Sequence, residues 1–471
     1  MFSKSRYSCL TLFMIILVVS FPCTIFGWYQ DGPPFGDHHH HHHYRNNPRP
    51  RIHRNHDNNR NPVTLKSDDQ SGTFTRFFKA RPLATSSSSS STSHAAKIVN
   101  VDSFGAKADG TDDSQAFKKA WQEACSSSNE AVLVVPNNRI YHLKPFRFSG
   151  PCKSSLTIKI YGTIRASVQL SDYNEDPLHW LVFENVSNFR VDGGGSGTIN
   201  GNGRIWWQNS CKINKNLPCK DAPTALTFSG CNNLVVTSLR FKDSQKMHLT
   251  FQKCVNVRAL NLLVIAPGNS PNTDGIHVTG TQDILIKNCV IRTGDDCISI
   301  VSGSKNVRAT DITCGPGHGI SIGSLGAGNQ EAEVSNVVVN KAKLSGTANG
   351  VRIKTWQGGS GYAKNIIFQN VAMYNVSNPI IIDQNYCDQD DPCPEQGSAV
   401  QISNVAYKNI RGTSASELAI KFDCSKHVAC QGILVQDVNL ASQLHHSDSS
   451  AIASCVNVEL HTVGSFSPRC S

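Results

Sequence analysis

Residues 283–300 read "DILIKNCVIRTGDDCISI". Asp283 opens an apolar run, and the stretch closes on two adjacent carboxylates, Asp295 and Asp296, between Gly294 and Cys297. Successive side chains of a strand point to opposite faces, so a regular strand would put one of these acids on the side of Ile298 and Ile300. The pair marks either a surface turn or a bend that aims both acids at one place.

The opening of this stretch recurs along the chain. An Asn or Asp followed by apolar residues appears as "NLVV" (Asn233), "NVRA" (Asn256), "DILI" (Asp283), "NVRA" (Asn306), "NVVV" (Asn336), "NIIF" (Asn365) and "NVAY" (Asn404). The intervals are 23, 27, 23, 30, 29 and 39 residues. A period of this size, made of short β-branched runs separated by Gly, Asn and Asp, belongs to a solenoid. The spaced leucines of leucine-rich repeats and the Gly-His and Trp-Asp pairs of propellers are missing. An all-β, right-handed parallel β-helix fits best, with about three short strands per coil. One amphipathic helix precedes it. After Thr111 or Asp112 as N-cap, Ala116, Phe117, Ala120, Trp121 and Ala124 fall at helical spacing. This short N-terminal helix would cap an end otherwise open to edge pairing.

Ahead of the repeats the chain changes character. Lys4 and Arg6 precede the apolar run Cys9–Phe21, which is too short for a comfortable membrane span. Residues 1–27 therefore read as a secretory signal cut between Cys23 and Trp28, with an uncleaved anchor as the alternative. No later segment has the apolar length to cross a bilayer, so the mature form is expected off the membrane. Residues 28–95 hold His38–His43, Ser86–Ser91 and scattered Arg, Asn and Pro without periodic apolar residues, and read as a disordered arm. The six histidines match a purification tag, but their setting inside other low-complexity sequence favours a natural tract. Nothing around them pre-forms a metal site. Residues 96–471 are left for the folded domain.

Charge follows the same division. The formal net charge is +10, and residues 1–95, with eleven Lys/Arg against five Asp/Glu, carry +6 of it. The basicity belongs to leader and arm, suited to an acidic matrix or merely solvated, and gives no reason to expect a nucleic-acid partner. Of seventeen cysteines, fifteen follow the signal. Secretion makes disulfides the expectation, and the odd number leaves at least one thiol unpaired. Asn185 and Asn375 each head an "NVS" sequon, candidates for glycosylation.

A solenoid converts spacing into geometry, because neighbouring coils stack about 4.8 Å apart. Asp274, in "NTDG", lies 21 residues before Asp295; His318, in "GPGHGIS", lies 23 after it. Arg352 and Lys354, in "VRIKTW", come 34 and 36 residues after His318, one coil plus an insertion. Asp295 stands twelve residues after its marker Asp283, and His318 twelve after Asn306; Asp274 and Arg352 stand at eighteen and sixteen. Each piece has an ordinary reading. Asn-x-Asp-Gly is a common turn, paired aspartates are often solvated or bind calcium, a histidine between glycines often faces water, and "RIK" is a usual strand edge. Their coincidence in coil register is harder to dismiss.

Chemically the set suits glycoside hydrolysis, in which one protonated carboxyl acts as acid and another activates water. Crowded acids have their pKa values driven apart. Arg352 and Lys354 would pair with an anionic sugar, arginine in bidentate fashion, favouring a uronic acid polymer over a neutral glycan.

"NTDG", "GDDC", "GHGISIGS" and "RIK", in this order and on this spacing, resemble the signature of the pectin-hydrolysing polygalacturonases, glycoside hydrolase family 28. "FGAKADGTDDSQAF" and "GNGRIWW" resemble the plant-type branch, and the likeness spans residues 97–470. The resemblance implies inverting hydrolysis of α-1,4-linked galacturonan without metal or other cofactor, by a secreted, monomeric wall enzyme. It makes Asp295 the general acid and Asp274 and Asp296 the acids that position water. His318 would tune the acid or contact substrate; Asn272, Arg352, Lys354 and Tyr386 would bind galacturonate. "GDDC" departs from the "QDDC" of many fungal endo-enzymes, so endo and exo cleavage both stay open. Cys297 and Cys314 resemble a family disulfide beside the site. Proximity pairs Cys387 with Cys393, Cys424 with Cys430 and Cys455 with Cys470, while Cys231 and Cys254, each ahead of a marker, read as stacked thiols. Three other readings stand beside this one. A rhamnogalacturonan or xylogalacturonan hydrolase would use the same fold. A pectate lyase would need calcium and an arginine base, which this acid set suits less well. A non-catalytic pectin-binding wall protein would be marked by a lost aspartate, and none is lost.

Overall fold

The computed structural model describes residues 95–388, 393–443 and 451–470. The expected leader, and the expected arm up to its last residue, lie outside the described residues.

The repeat marker has a conformational cause. Asn233, Asn256, Asp283, Asn306, Asn336, Asn365 and Asn404 all hold left-handed backbone, with φ between 52° and 58°. Asn and Asp tolerate that region better than other side-chain-bearing residues, so each marker bends the chain from one strand into the next. The side chains also stack. Asn306 Nδ2 donates to Asp283 Oδ1 at 2.8 Å, and Asn336 Nδ2 donates to Asn306 Oδ1 at 2.9 Å. An amide has both a donor and an acceptor, so a column of them links coil to coil. A second column, formed by Asn340, Asn370 and Asn409, occupies the next corner; Asn370 and Asn409 have left-handed backbone, with φ of 55° and 49°.

The strands between the corners form a right-handed parallel β-helix. One sheet carries, in consecutive parallel order, β1 (Leu249–Gln252), β2 (Ile276–Thr279), β3 (Ile298–Ile300), β4 (Ile320–Leu325), β5 (Asn349–Trp356) and β6 (Asn378–Tyr386). Leu249, Ile276, Ile298, Ile320, Val351 and Ile380 stand in register down this sheet, every one 0% exposed. This column is one line of the core, at about 1.5–3 kcal/mol for each fully buried side chain. The next column, His277, Ser299, Ser321 and Arg352, is polar. Early coils have three separate strands, as expected. From Gln282 onward the second and third run together as one bent strand, Gln282–Arg292 and its successors.

Helix α1 (Ser114–Cys125) buries Ala116, Phe117, Ala120, Trp121 and Ala124, the residues its periodicity selected. Neither Thr111 nor Asp112 is the N-cap; the position belongs to Asp113. The Asp113 carboxylate instead accepts the Lys107 N–H at 2.7 Å, while Asp112 Oδ1 accepts the Ser114 N–H at 3.0 Å. Trp121 of α1 packs on Phe148 and Phe183 at 5.2 and 5.6 Å, closing the end of an aromatic stack that continues through Phe228 to Phe251. A five-residue helix, Arg204–Gln208, was not legible in the periodicity.

Candidate active site

Asp274, Asp296 and His318 each stand two residues before the first core residue of β2, β3 and β4, so the stacking of these strands aligns them. The bend at residues 293–297 adds Asp295 to the same place. An oxygen from each of Asp274, Asp295 and Asp296 lies within 4.8 Å of the others. All three acids are buried. Gly294 serves the bend by its smallness: a Cβ there would stand 2.0 Å from the Ser270 carbonyl oxygen. The expected disulfide Cys297–Cys314 ties this corner to the next coil.

The partners of the acids differ. Asp295 Oδ1 accepts the Asp296 N–H at 2.6 Å and lies 3.2 Å from His318 Nδ1, while the His318 N–H donates to the Asp295 carbonyl at 2.8 Å. Asp296 sits between two cations: Arg352 Nη2 at 3.0 Å from Oδ1, and Lys354 Nζ at 3.3 Å from Oδ2. Ser321 Oγ also donates to Asp296 Oδ1, at 2.6 Å. Asp274 Oδ2 accepts Ser299 Oγ at 2.7 Å. Three acids this close have the donor types of a hard-cation site. Arg352 and Lys354 already bring positive charge to Asp296, however, so a further cation there would meet repulsion.

Other expected residues are placed less uniformly. Lys354 has no exposed side-chain surface, and its ammonium is committed to Asp296, so it neutralises an acid before it can reach a sugar. Arg352 keeps 11% of its side chain exposed. Tyr386 is largely buried, edge-on to Trp356 at 5.3 Å, with Lys354 Nζ 5.4 Å from its ring centroid. Asn272, in left-handed backbone, lines a cavity with Trp206, Trp207, Lys212, Lys220 and Lys246. Lys212 Nζ meets Asp388 Oδ1 at 3.3 Å, linking the loop closed by Cys211–Cys219 to a residue beside Cys387. Asn185 and Asn375 are exposed, and Asn375 lines a groove that includes His318.

Sequence reading missed several participants. His277, Ser299 and Ser321 stand three residues after Asp274, Asp296 and His318, an offset that was there to be found. His248 was also missed; its Nδ1 lies 3.0 Å from the Asp274 carbonyl oxygen. The four expected disulfides are all formed, and Cys125–Cys152 and Cys211–Cys219 join them. Cys231 and Cys254 are free and buried, as expected, and Cys289 is a third free thiol among the described residues.

Residues 125–465 match the family described as Glycosyl hydrolases family 28. The chain belongs to this family. It is 64% identical over 376 residues to Polygalacturonase QRT2 of Arabidopsis thaliana, covering 80% of this chain and 84% of that protein. Polygalacturonase-2 of Solanum lycopersicum is 57% identical over 376 residues, covering 80% and 81%. Among solved structures, the endo-xylogalacturonan hydrolase of Aspergillus tubingensis superposes with a TM-score of 0.67 at 22% identity, covering 78% of this chain and 99% of that one. The polygalacturonase of Erwinia carotovora gives 0.63 at 23%, covering 80% and 99%. These two likenesses show the fold, and membership of family 28 makes the chain a glycoside hydrolase.

Proposed function

We propose that this chain is a polygalacturonase, hydrolysing α-1,4-galacturonosyl linkages of demethylated pectin with inversion. The observation that carries the reading is the convergence of Asp274, Asp295 and Asp296 within 4.8 Å, beside Arg352 and His318. High identity to plant polygalacturonases over four-fifths of the chain supports the substrate.

Asp295 is the general acid. It heads the corner nearest His318, whose Nδ1 lies 3.2 Å from Oδ1 and orients the carboxyl. Asp274 and Asp296, one coil apart, hold the attacking water between them. Arg352 anchors a galacturonate carboxylate through its exposed edge, and Asn272 and Tyr386 contact other parts of the polymer. Separation alone argues less simply. Carboxyl groups of inverting enzymes usually stand about 6.5–9.5 Å apart and those of retaining enzymes about 5–5.5 Å. The oxygens here approach within 4.8 Å, tighter than the expected water gap. Inversion is favoured because Asp296 is engaged by Ser321, Arg352 and Lys354 and Asp274 by Ser299, which suits holding water better than attacking carbon.

The catalytic unit is residues 96–471, working as a single chain that supplies every residue of the site. Export to the cell wall is supported by the N-terminal leader pattern and by six disulfides, which persist in oxidising compartments. Asn185 and Asn375, exposed sequon residues, would then carry glycans. The test is reducing-end release from polygalacturonate, with rhamnogalacturonan and xylogalacturonan in parallel. Activity only on a parallel polymer would move the assignment to that substrate.

A further inference from the structure

Asp274 and Asp296 stand at equivalent places in successive coils, yet they are held by different chemistry. The serine on Asp296, Ser321, receives Arg352 Nε at 3.1 Å, so the whole arrangement is cationic. The serine on Asp274, Ser299, lies 2.8 Å from His277 Nδ1. Ser299 spends its hydrogen on the Asp274 carboxylate, so His277 Nδ1 is the donor and, in a neutral ring, Nε2 carries no hydrogen. Burial pushes the His277 imidazole down to about 4; the Lys246 charge acts in the same direction, Asp296 opposes it, and Lys354 adds a smaller push downward. Thr250, its register partner on β1, is uncharged. The chain His277–Ser299–Asp274 is therefore neutral up to the carboxylate.

A second neutral imidazole holds the backbone of the same acid. His248 Nδ1 donates to the Asp274 carbonyl at 3.0 Å, and its Nε2 accepts the Ser244 N–H at 3.4 Å. Burial pushes this ring down to about 4 as well. Asp274 is thus gripped at its carbonyl by His248 and at its carboxylate by Ser299.

We infer that His277 is a positioning residue for Asp274, acting through Ser299: the ring fixes the hydroxyl, and the hydroxyl fixes Asp274 Oδ2. This rests on the proposal that Asp274 helps activate the attacking water. It gives each of the two water-holding acids its own serine, Ser299 backed by His277 and Ser321 backed by Arg352.

The test compares Ser299→Ala, His277→Phe, His277→Asn and the Ser299→Ala/His277→Phe double variant on polygalacturonate. It reads kcat, KM, the pH profile and melting by circular dichroism. Phenylalanine keeps the ring and removes the donor; the asparagine amide restores a donor near the Nδ1 position. Ser299→Ala and His277→Phe are each expected to lower kcat by about 10–100-fold, the cost of a misplaced reacting group, with KM little changed. The double variant should be no worse than the poorer single, and His277→Asn should recover to within about tenfold of wild type. Ser299→Ala should move the acid limb of the kcat profile to higher pH, because the lost hydrogen bond favoured the charged carboxylate. Wild-type kcat and pH profile in His277→Phe would overturn the inference. So would a His277→Asn as impaired as His277→Phe with equal loss of melting temperature, which is a packing effect. Should His277→Phe fail to fold, wild-type kcat and acid limb in Ser299→Ala would overturn it alone. Failure of the polygalacturonase reading is separately visible, as wild-type enzyme that releases no reducing ends.

Discussion

Lys354 and Asp296 meet at 3.3 Å with neither side chain exposed to solvent. Desolvating two charges is costly, and their attraction offsets this only while both are present. Lys354→Met removes the cation with little change of length and leaves Arg352 alone against the acid. The expected loss is about 3–5 kcal/mol, read by urea unfolding. Lys354→Met/Asp296→Asn should unfold later than Lys354→Met alone. A single variant as stable as wild type would show that the pair is not what neutralises Asp296.

Two buried histidines make folding stability depend on pH. His248 and His277 are pushed from an ordinary 6.5 to about 4 by burial. Between these values the unfolded chain binds protons that the folded chain refuses, so stability rises with pH. Their contribution is fully present above pH 6.5 and lost as pH falls toward 4, at roughly 3 kcal/mol apiece. Melting followed from pH 7 down to pH 4 should show the decline, and His277→Asn should flatten it. An unchanged slope in that variant would remove His277 from the explanation.

The amide column separates two costs at one residue. Asn306 holds φ at 58° and both donates and accepts within the column. Asn306→Gly keeps the backbone conformation and loses the hydrogen bonds; Asn306→Ala loses both. The expected losses are about 1 kcal/mol for glycine and about 2–3 kcal/mol for alanine, by thermal unfolding. Equal losses would mean that the left-handed backbone contributes nothing to the preference.

That column also explains what could be read before the structure. Asn233 through Asn404 are visible as a period because one conformational demand, left-handed backbone at a corner, selects Asn or Asp in every coil. The alignment of Asp274, Asp296 and His318 follows from the same period. The contacts inside the site were less legible, because they depend on which way side chains turn. "RIK" looks alike whether Lys354 faces a sugar or, as here, is buried against Asp296. Ser299 and His277 are unremarkable letters in strands, and only the 2.7 and 2.8 Å contacts give them a part. Cys125–Cys152 joins residues 27 apart, one in α1 and one beyond β-structure, a proximity that no local spacing announces.

The stereochemistry of the product follows from the role given to Asp274 and Asp296. Proton NMR of early hydrolysis should show the β-anomer forming first and mutarotating to the mixture, as direct attack by water on an α-linkage requires. An α-anomer formed first would mean a covalent intermediate, with one of these two acids as nucleophile.

The central claim is that Asp295 protonates the leaving oxygen, and Asp295→Asn tests it most directly. The amide oxygen can still accept the Asp296 N–H, so the corner should hold and the melting temperature should stay near wild type. Reducing-end release from polygalacturonate should proceed with wild-type enzyme and fall by about 10²–10⁴-fold in kcat with the variant. A folded Asp295→Asn that cleaves at the wild-type rate would contradict the account.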